Sequence, residues 1–162
     1  MTIAPSFPTS AVAPADVTAL LPSREALLDR LAEQLAAPTV PATLVVVGLL
    51  RRDDGWPTAQ TTLASVTTLL AASLRGDDWL GKSGPGEFTV VLAGPVTAAE
   101  TAAARLVAAV PTLGVAALTA AAGIAPLTAG ITATEVLRRA LVSLTAARRA
   151  GAGTVILHRE PY

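Results

Sequence analysis

Apolar positions follow two different periods along this chain, and the switches between them lay out its elements. Leu27, Leu28, Leu31 and Leu35 recur at helical spacing and line one face. Ser23 precedes them as an N-cap, with Glu25 and Asp29 near the positive end of the helix dipole. Residues 34–41 close this helix and turn. Residues 43–50 read Thr-Leu-Val-Val-Val-Gly-Leu-Leu, a continuous apolar run that predicts a strand buried on both faces. A polar turn follows over 51–57, then a helix over 58–74 with Leu63, Val66, Leu70 and Leu74 on one face.

The next segment predicts a hairpin. Residues 79–83 lead in, Gly84-Pro85-Gly86 turns, and 87–93 returns through Phe88-Thr89-Val90-Val91-Leu92. Glycine and proline supply the backbone angles that a tight reversal needs. An alanine-rich helix is expected over 97–110 and a strand over 114–125. A helix over 132–150 is capped by Thr132 with Glu135 three residues on, and Gly151 stands where a left-handed C-terminal cap would. A last strand covers 154–158. Residues 1–15 lack periodicity and read as a flexible tail, leaving 16–162 as a single domain. Helices and strands in this order predict an α/β fold, a mixed central sheet flanked by helices.

Composition narrows the chemistry. An apolar fraction of 52% in 162 residues suffices for one sizeable core. Twelve basic residues balance twelve acidic ones, so no global field favours DNA, RNA or an acidic membrane surface. Aromatics make up 3%, too few for base-stacking platforms. Cysteine is absent, which excludes thiolate metal sites and cysteine nucleophiles. The single histidine, His158, reads as exposed and idle. The uncharged stretch 106–134 is long enough for a membrane span, but its prolines, glycines and threonines favour a helix end, a turn and a buried strand. No basic segment followed by an apolar core opens the chain, so a cytoplasmic location is expected.

Four local words fall in a familiar order. Asp16-Val-Thr-Ala-Leu-Leu-Pro22-Ser23-Arg24 resembles the D-x-L-T-G-L-x-N-R opening of bacterial GGDEF (diguanylate cyclase) domains. Gly84-Pro85-Gly86-Glu87-Phe88 sits on the hairpin where the signature Gly-Gly-Asp-Glu-Phe would be. Ala121-Ala122-Gly123-Ile124-Ala125 resembles the later S-I-G-I-A strand, and residues 139–151 resemble the closing A-D-x-A-L-Y-x-A-K-x-x-G helix. The resemblance covers about residues 16–158 and implies a nucleotidyl-cyclase palm-like fold. Active members join two GTP molecules into cyclic di-GMP, using two acidic residues to hold magnesium.

Measured against that family, the acids are missing. The metal-binding Asp at the end of the first strand aligns with Gly48, and the signature Asp with Gly86. Magnesium binds hard oxygen ligands, and glycine offers no side-chain oxygen. Pro85 also removes a backbone N–H that would face phosphate. The segment that reads guanine is about five residues shorter, with Gln60 near its Asp position. In the last helix the family's Asp is Leu141 and its Lys is Arg148. Gly48, Gly84, Pro85, Gly86, Glu87, Phe88 and Arg148 are therefore read as degenerate active-site positions, with no catalytic residue, no metal and no cofactor. Glu87 reads as a structural or surface carboxylate, and Arg148 with Arg149 as a solvated helix end. Asp53 and Asp54 would rescue a metal site only if the first strand ended later; a solvated loop is expected instead.

One ligand motif survives. Arg75-Gly76-Asp77-Asp78 is an R-x-x-D pattern five residues before Gly84. In the family that placement marks an inhibitory site for cyclic di-GMP. A guanidinium donates bidentately to phosphate or guanine oxygens, and a carboxylate accepts from the guanine N–H edge. The competing reading has Arg75 at a helix C-terminus and Asp78 capping a turn N–H. Trp79 packs in the hairpin or lines the same ligand surface. Three functions remain open: an inactive cyclic di-GMP receptor, a protein-interaction or self-associating scaffold, and a residual GTP-binding or cyclase enzyme.

Overall fold

The computed structural model describes residues 21–37, 40–51 and 59–159. The predicted tail, the first five residues of the opening word (16–20), Asp53 and Asp54 lie outside them. The elements run α1 (Arg24–Ala36), β1 (Ala42–Arg51), α2 (Gln60–Ala72), β2 (Trp79–Gly84), β3 (Glu87–Ala93), α3 (Val96–Ala109), a 3-10 turn (Val110–Leu113), β4 (Leu118–Pro126), α4 (Ala133–Ala150) and β5 (Val155–Leu157). They form one sheet in the order β2-β3-β1-β4-β5. Its pairs are antiparallel except β4 with β5, which makes the sheet mixed.

The central place of β1 explains its unbroken apolar run. Val45, Val47 and Leu49 pack toward α2 and α3, while Leu44 and Val46 pack toward α1 and α4. Both faces exclude water, so neither tolerates the polar half of a period-2 pattern. Leu27 and Leu31 of α1 are fully buried, and the Ser23 hydroxyl accepts the Ala26 N–H as the predicted cap. In β4, Gly123 has a steric role. A Cβ there would strike the Ala140 carbonyl oxygen and the Leu144 backbone of α4. Small residues thus bring α4 down onto the sheet.

Several boundaries differ from the sequence expectation. β4 begins at Leu118 rather than at 114, because Pro111 sits in a 3-10 turn that Gly114 ends at φ 77°. α2 stops at Ala72, leaving Leu74 beyond the cap yet still packed on the core. Gly151 does take a positive φ of 121°, but with ψ 178° it is not a left-handed helical cap. Thr132 accepts the Glu135 N–H, while the Glu135 carboxylate holds Arg138 and Arg139, so the capping box is only half formed. The uncharged stretch is a helix end, a turn and a strand. No helix among the described residues is long and apolar enough to cross a membrane.

Candidate functional site

Strand register decides which side chains meet at the hairpin. Gly48 of β1 stands opposite Glu87 of β3. Pro85 and Gly86 form the reversal, with Gly86 at φ 65°, and the Gly86 carbonyl accepts the Leu49 N–H at 2.9 Å. The tip is thereby clipped to the end of β1. Phe88 is buried toward α2 and α3, so alternation turns Glu87 toward α4.

The last turn of α4 brings Arg148 to the same point. Its Nη1 lies 3.3 Å from Glu87 Oε2, and Nη2 lies 3.5 Å from the Leu49 carbonyl oxygen. The Ser83 hydroxyl donates to the other carboxylate oxygen, Glu87 Oε1, at 3.0 Å. Arg148 is therefore no solvated helix end: its side chain is 31% exposed and turned inward, while Arg149 remains exposed. The reason is room. A Cβ at position 48 would lie 2.6 Å from Arg148 Nη2. Nε of Arg148 is buried without a partner among the described residues.

The structure thus gathers the predicted positions 48, 84–88 and 148 at one end of the sheet. Their side-chain donors do not fit a magnesium shell: Gly48 and Gly86 supply no oxygen, and the one carboxylate is held by a guanidinium. Beside the hairpin lies a cavity of about 430 Å³, lined by Ser23 and Arg24 at the start of α1, Gln60 at the start of α2, and Lys82. Sequence reasoning did not place Lys82 there.

Arg75 and Asp78 lie elsewhere. They precede β2, near the end of β3 remote from Glu87, and roughly 17 Å of strand separates the two places. They line a cavity of about 530 Å³ together with Asp77, Leu92 and Arg105 of α3. The Asp78 carboxylate accepts the Arg75 N–H at 2.9 Å, so it does cap the turn. Arg75 is exposed, three residues past α2 rather than in its last turn. The guanidinium groups of Arg75 and Arg105 have no protein partner among the described residues. Arg105 escaped the sequence reading, although it is the only basic residue of α3. Trp79 does not line this cavity: it packs with the α1 and α4 layer, its ring over Gly81. His158 is half-buried, not exposed, and its N–H donates to the Ile124 carbonyl.

A mixed five-stranded sheet between helices, with a glycine-turned hairpin beside the central strand, is the nucleotidyl-cyclase palm-like arrangement. The solved structures it is similar to are GGDEF domains of diguanylate cyclases. The GGDEF domain of PA1120 (YfiN or TpbB) from Pseudomonas aeruginosa matches with a TM-score of 0.76 at 21% identity, over 88% of this chain and 99% of that one. The diguanylate cyclase SiaD from the same organism, solved with its activator SiaC, matches with a TM-score of 0.74 at 22% identity over 92% of this chain. This chain spans 64% of the SiaD chain. The coiled coil and GGDEF domain of DgcB from Caulobacter crescentus, solved with c-di-GMP, matches with a TM-score of 0.73 at 18% identity, over 92% of this chain and 89% of that one. No family model matches the sequence, and no curated protein matches it.

Proposed function

We propose that this chain is a GGDEF-type signalling module without catalysis that binds cyclic di-GMP beside Arg75. The observation that carries the reading is the cavity of about 530 Å³ on which Arg75 and Arg105 converge with Asp77 and Asp78. Its size is that of a small-molecule site. The two arginines give planar donors for phosphate or guanine oxygens, and Asp77 gives an exposed acceptor. Two acids offset two arginines, so recognition rests on directed hydrogen bonds rather than on net charge. Asp78 contributes mainly by holding the turn that presents Arg75. The DgcB structure contains c-di-GMP, and the resemblance of residues 75–78 to the family's inhibitory motif points the same way.

Catalysis is proposed to be lost because positions 48 and 86 carry no carboxylate and Glu87 is paired with Arg148. The alternative is a scaffold that pairs with a protein. SiaD is solved with a protein activator, and Val142 of α4 here is 51% exposed, a large apolar side chain on an outer face.

Calorimetry with cyclic di-GMP on the wild type, Arg75→Ala and Arg105→Ala tests the receptor reading. Heat in the wild type, with affinity at least tenfold weaker in each variant, is expected. No heat in the wild type leaves the scaffold reading. Product formed from GTP and magnesium by the wild type would overturn the loss of catalysis.

A further inference from the structure

We infer that Arg148 is an internal cation that takes the place of the metal and closes the hairpin end of the sheet to divalent ions, and that Gly48 is the residue that admits it. This rests on the proposed loss of catalysis and deepens it. The absence of two carboxylates would by itself leave a weak site, with Glu87 and the Leu49 carbonyl as remaining oxygens. In this chain both oxygens face one guanidinium, Glu87 Oε2 at 3.3 Å and the Leu49 carbonyl at 3.5 Å. Ser83 occupies Glu87 Oε1. A divalent ion would have to displace a fixed positive charge from Glu87, the only carboxylate at this point among the described residues. Like charges in a partly buried site repel strongly, because little water screens them.

The seat of the guanidinium is steric. Its Nη2, Cζ and Nε would lie 2.6, 2.8 and 2.8 Å from a Cβ on residue 48, closer than any side chain at that position permits. Nε is buried without a partner among the described residues. The hydrogen bonds at the other two nitrogens therefore hold the group where desolvation alone would not favour it. Loss of the side chain at position 48 and the inward turn of Arg148 are one device: the first makes the space, the second fills it with charge.

The inference gives an outcome that a mere lack of ligands does not. Adding one methyl group, which coordinates nothing, should open a cation site. The probe is Mn2+ alone, with no nucleotide, read as paramagnetic broadening of backbone amide signals in the full chain. In the wild type the signals of Gly48, Leu49 and Glu87 should broaden no more than those near exposed carboxylates such as Asp77. In Arg148→Gln and in Gly48→Ala, residues 48, 49 and 87 should broaden selectively, at Mn2+ concentrations at least fivefold lower. Adding Glu87→Gln to either should abolish the gain. If Gly48→Ala fails to fold, Arg148→Gln still decides. Selective broadening in the wild type, or none gained in Arg148→Gln, overturns the inference. Failure of the receptor reading shows instead as absent heat with cyclic di-GMP, in an experiment that contains no Mn2+.

Discussion

Gly48 and Arg148 are a hundred residues apart in the chain and share one space: the guanidinium lies where the side chain of residue 48 would begin. The position that carries a metal-binding acid in the family this chain resembles is thus occupied by a positive group from α4. The relationship bears directly on attempts to revive the site. In Gly48→Asp/Gly86→Asp, the new carboxylate at position 48 must expel Arg148 or pair with it. A residue with a Cβ at position 86 must adopt a φ near 65°, which costs about 1 kcal/mol. The segment that the resemblance makes about five residues shorter than the family's guanine-reading one is also unchanged. The double variant is expected to show no magnesium-dependent GTP turnover, measured by product chromatography. Turnover in it would show that neither Arg148 nor the short segment blocks the reaction.

Asp78 has a structural duty that is separable from ligand binding. Its carboxylate accepts the Arg75 N–H, and its own N–H donates to the Arg75 carbonyl at 3.1 Å. Asp78→Ala is expected to lower stability by about 1 kcal/mol in urea unfolding without any ligand, and Asp78→Asn by less, since an amide oxygen can still accept. Arg75→Ala should leave stability within about 0.5 kcal/mol, because the side chain is exposed and its guanidinium has no hydrogen-bond or ion-pair partner among the described residues. Equal destabilisation by both alanine variants would mean that Arg75 is part of the turn and not a free ligand group.

Gly123 tests how closely α4 sits on the sheet. The colliding atoms are backbone, Ala140 carbonyl oxygen and Leu144 nitrogen, so no side chain can rotate away to make room. Gly123→Ala is expected to destabilise the fold by about 3 kcal/mol, at the upper end of overpacking, despite alanine's small size. The neighbouring Gly130, with open space around it and a φ of 87°, offers a comparison. Alanine there meets only the backbone cost of about 1 kcal/mol. Thermal melts of the two variants should rank in that order; a neutral Gly123→Ala would mean that α4 can lift from β4 without loss.

How much of this was legible follows from how local each feature is. The apolar periods placed α1, β1 and the hairpin because burial acts on neighbours in sequence, and Ser23 and Thr132 announced their helices through bonds to residues three positions on. The order of words placed the fold. The start of β4 was misread because alanine has no strand preference, and the 3-10 turn and Gly114 before it look apolar in sequence. Arg148 was misread for a deeper reason. At a helix C-terminus an arginine is ordinarily solvated, and only the register that puts Glu87, 61 residues before Arg148, beside Gly48 turns it inward. Arg105 joined the site because α3 and the end of β3 line one cavity, which no spacing along the chain encodes.

The first turn of α4 carries the clearest titration signal. The Glu135 carboxylate receives Arg138 at 2.7 Å and Arg139 at 2.8 Å. Hydrogen bonds from Arg138 and then Arg139 lower its pKa from 4.5 to about 2. A carboxylate so close to a helix N-terminus is also favoured by the dipole. The folded value lies below the unfolded one, so the contribution to stability is complete above the unfolded pKa near 4.5 and is lost as pH falls toward about 2. Wild type should therefore exceed Glu135→Gln in urea midpoint at pH 7 by a margin that persists down to pH 5. Between pH 4.5 and pH 2 the two curves should converge, because protonated Glu135 and glutamine offer the arginines the same neutral acceptor. High salt at pH 7 should narrow the same gap, since the pair is partly open to solvent. A gap that stays constant across the acid range would assign the effect of the substitution to helix packing and not to the charge on Glu135.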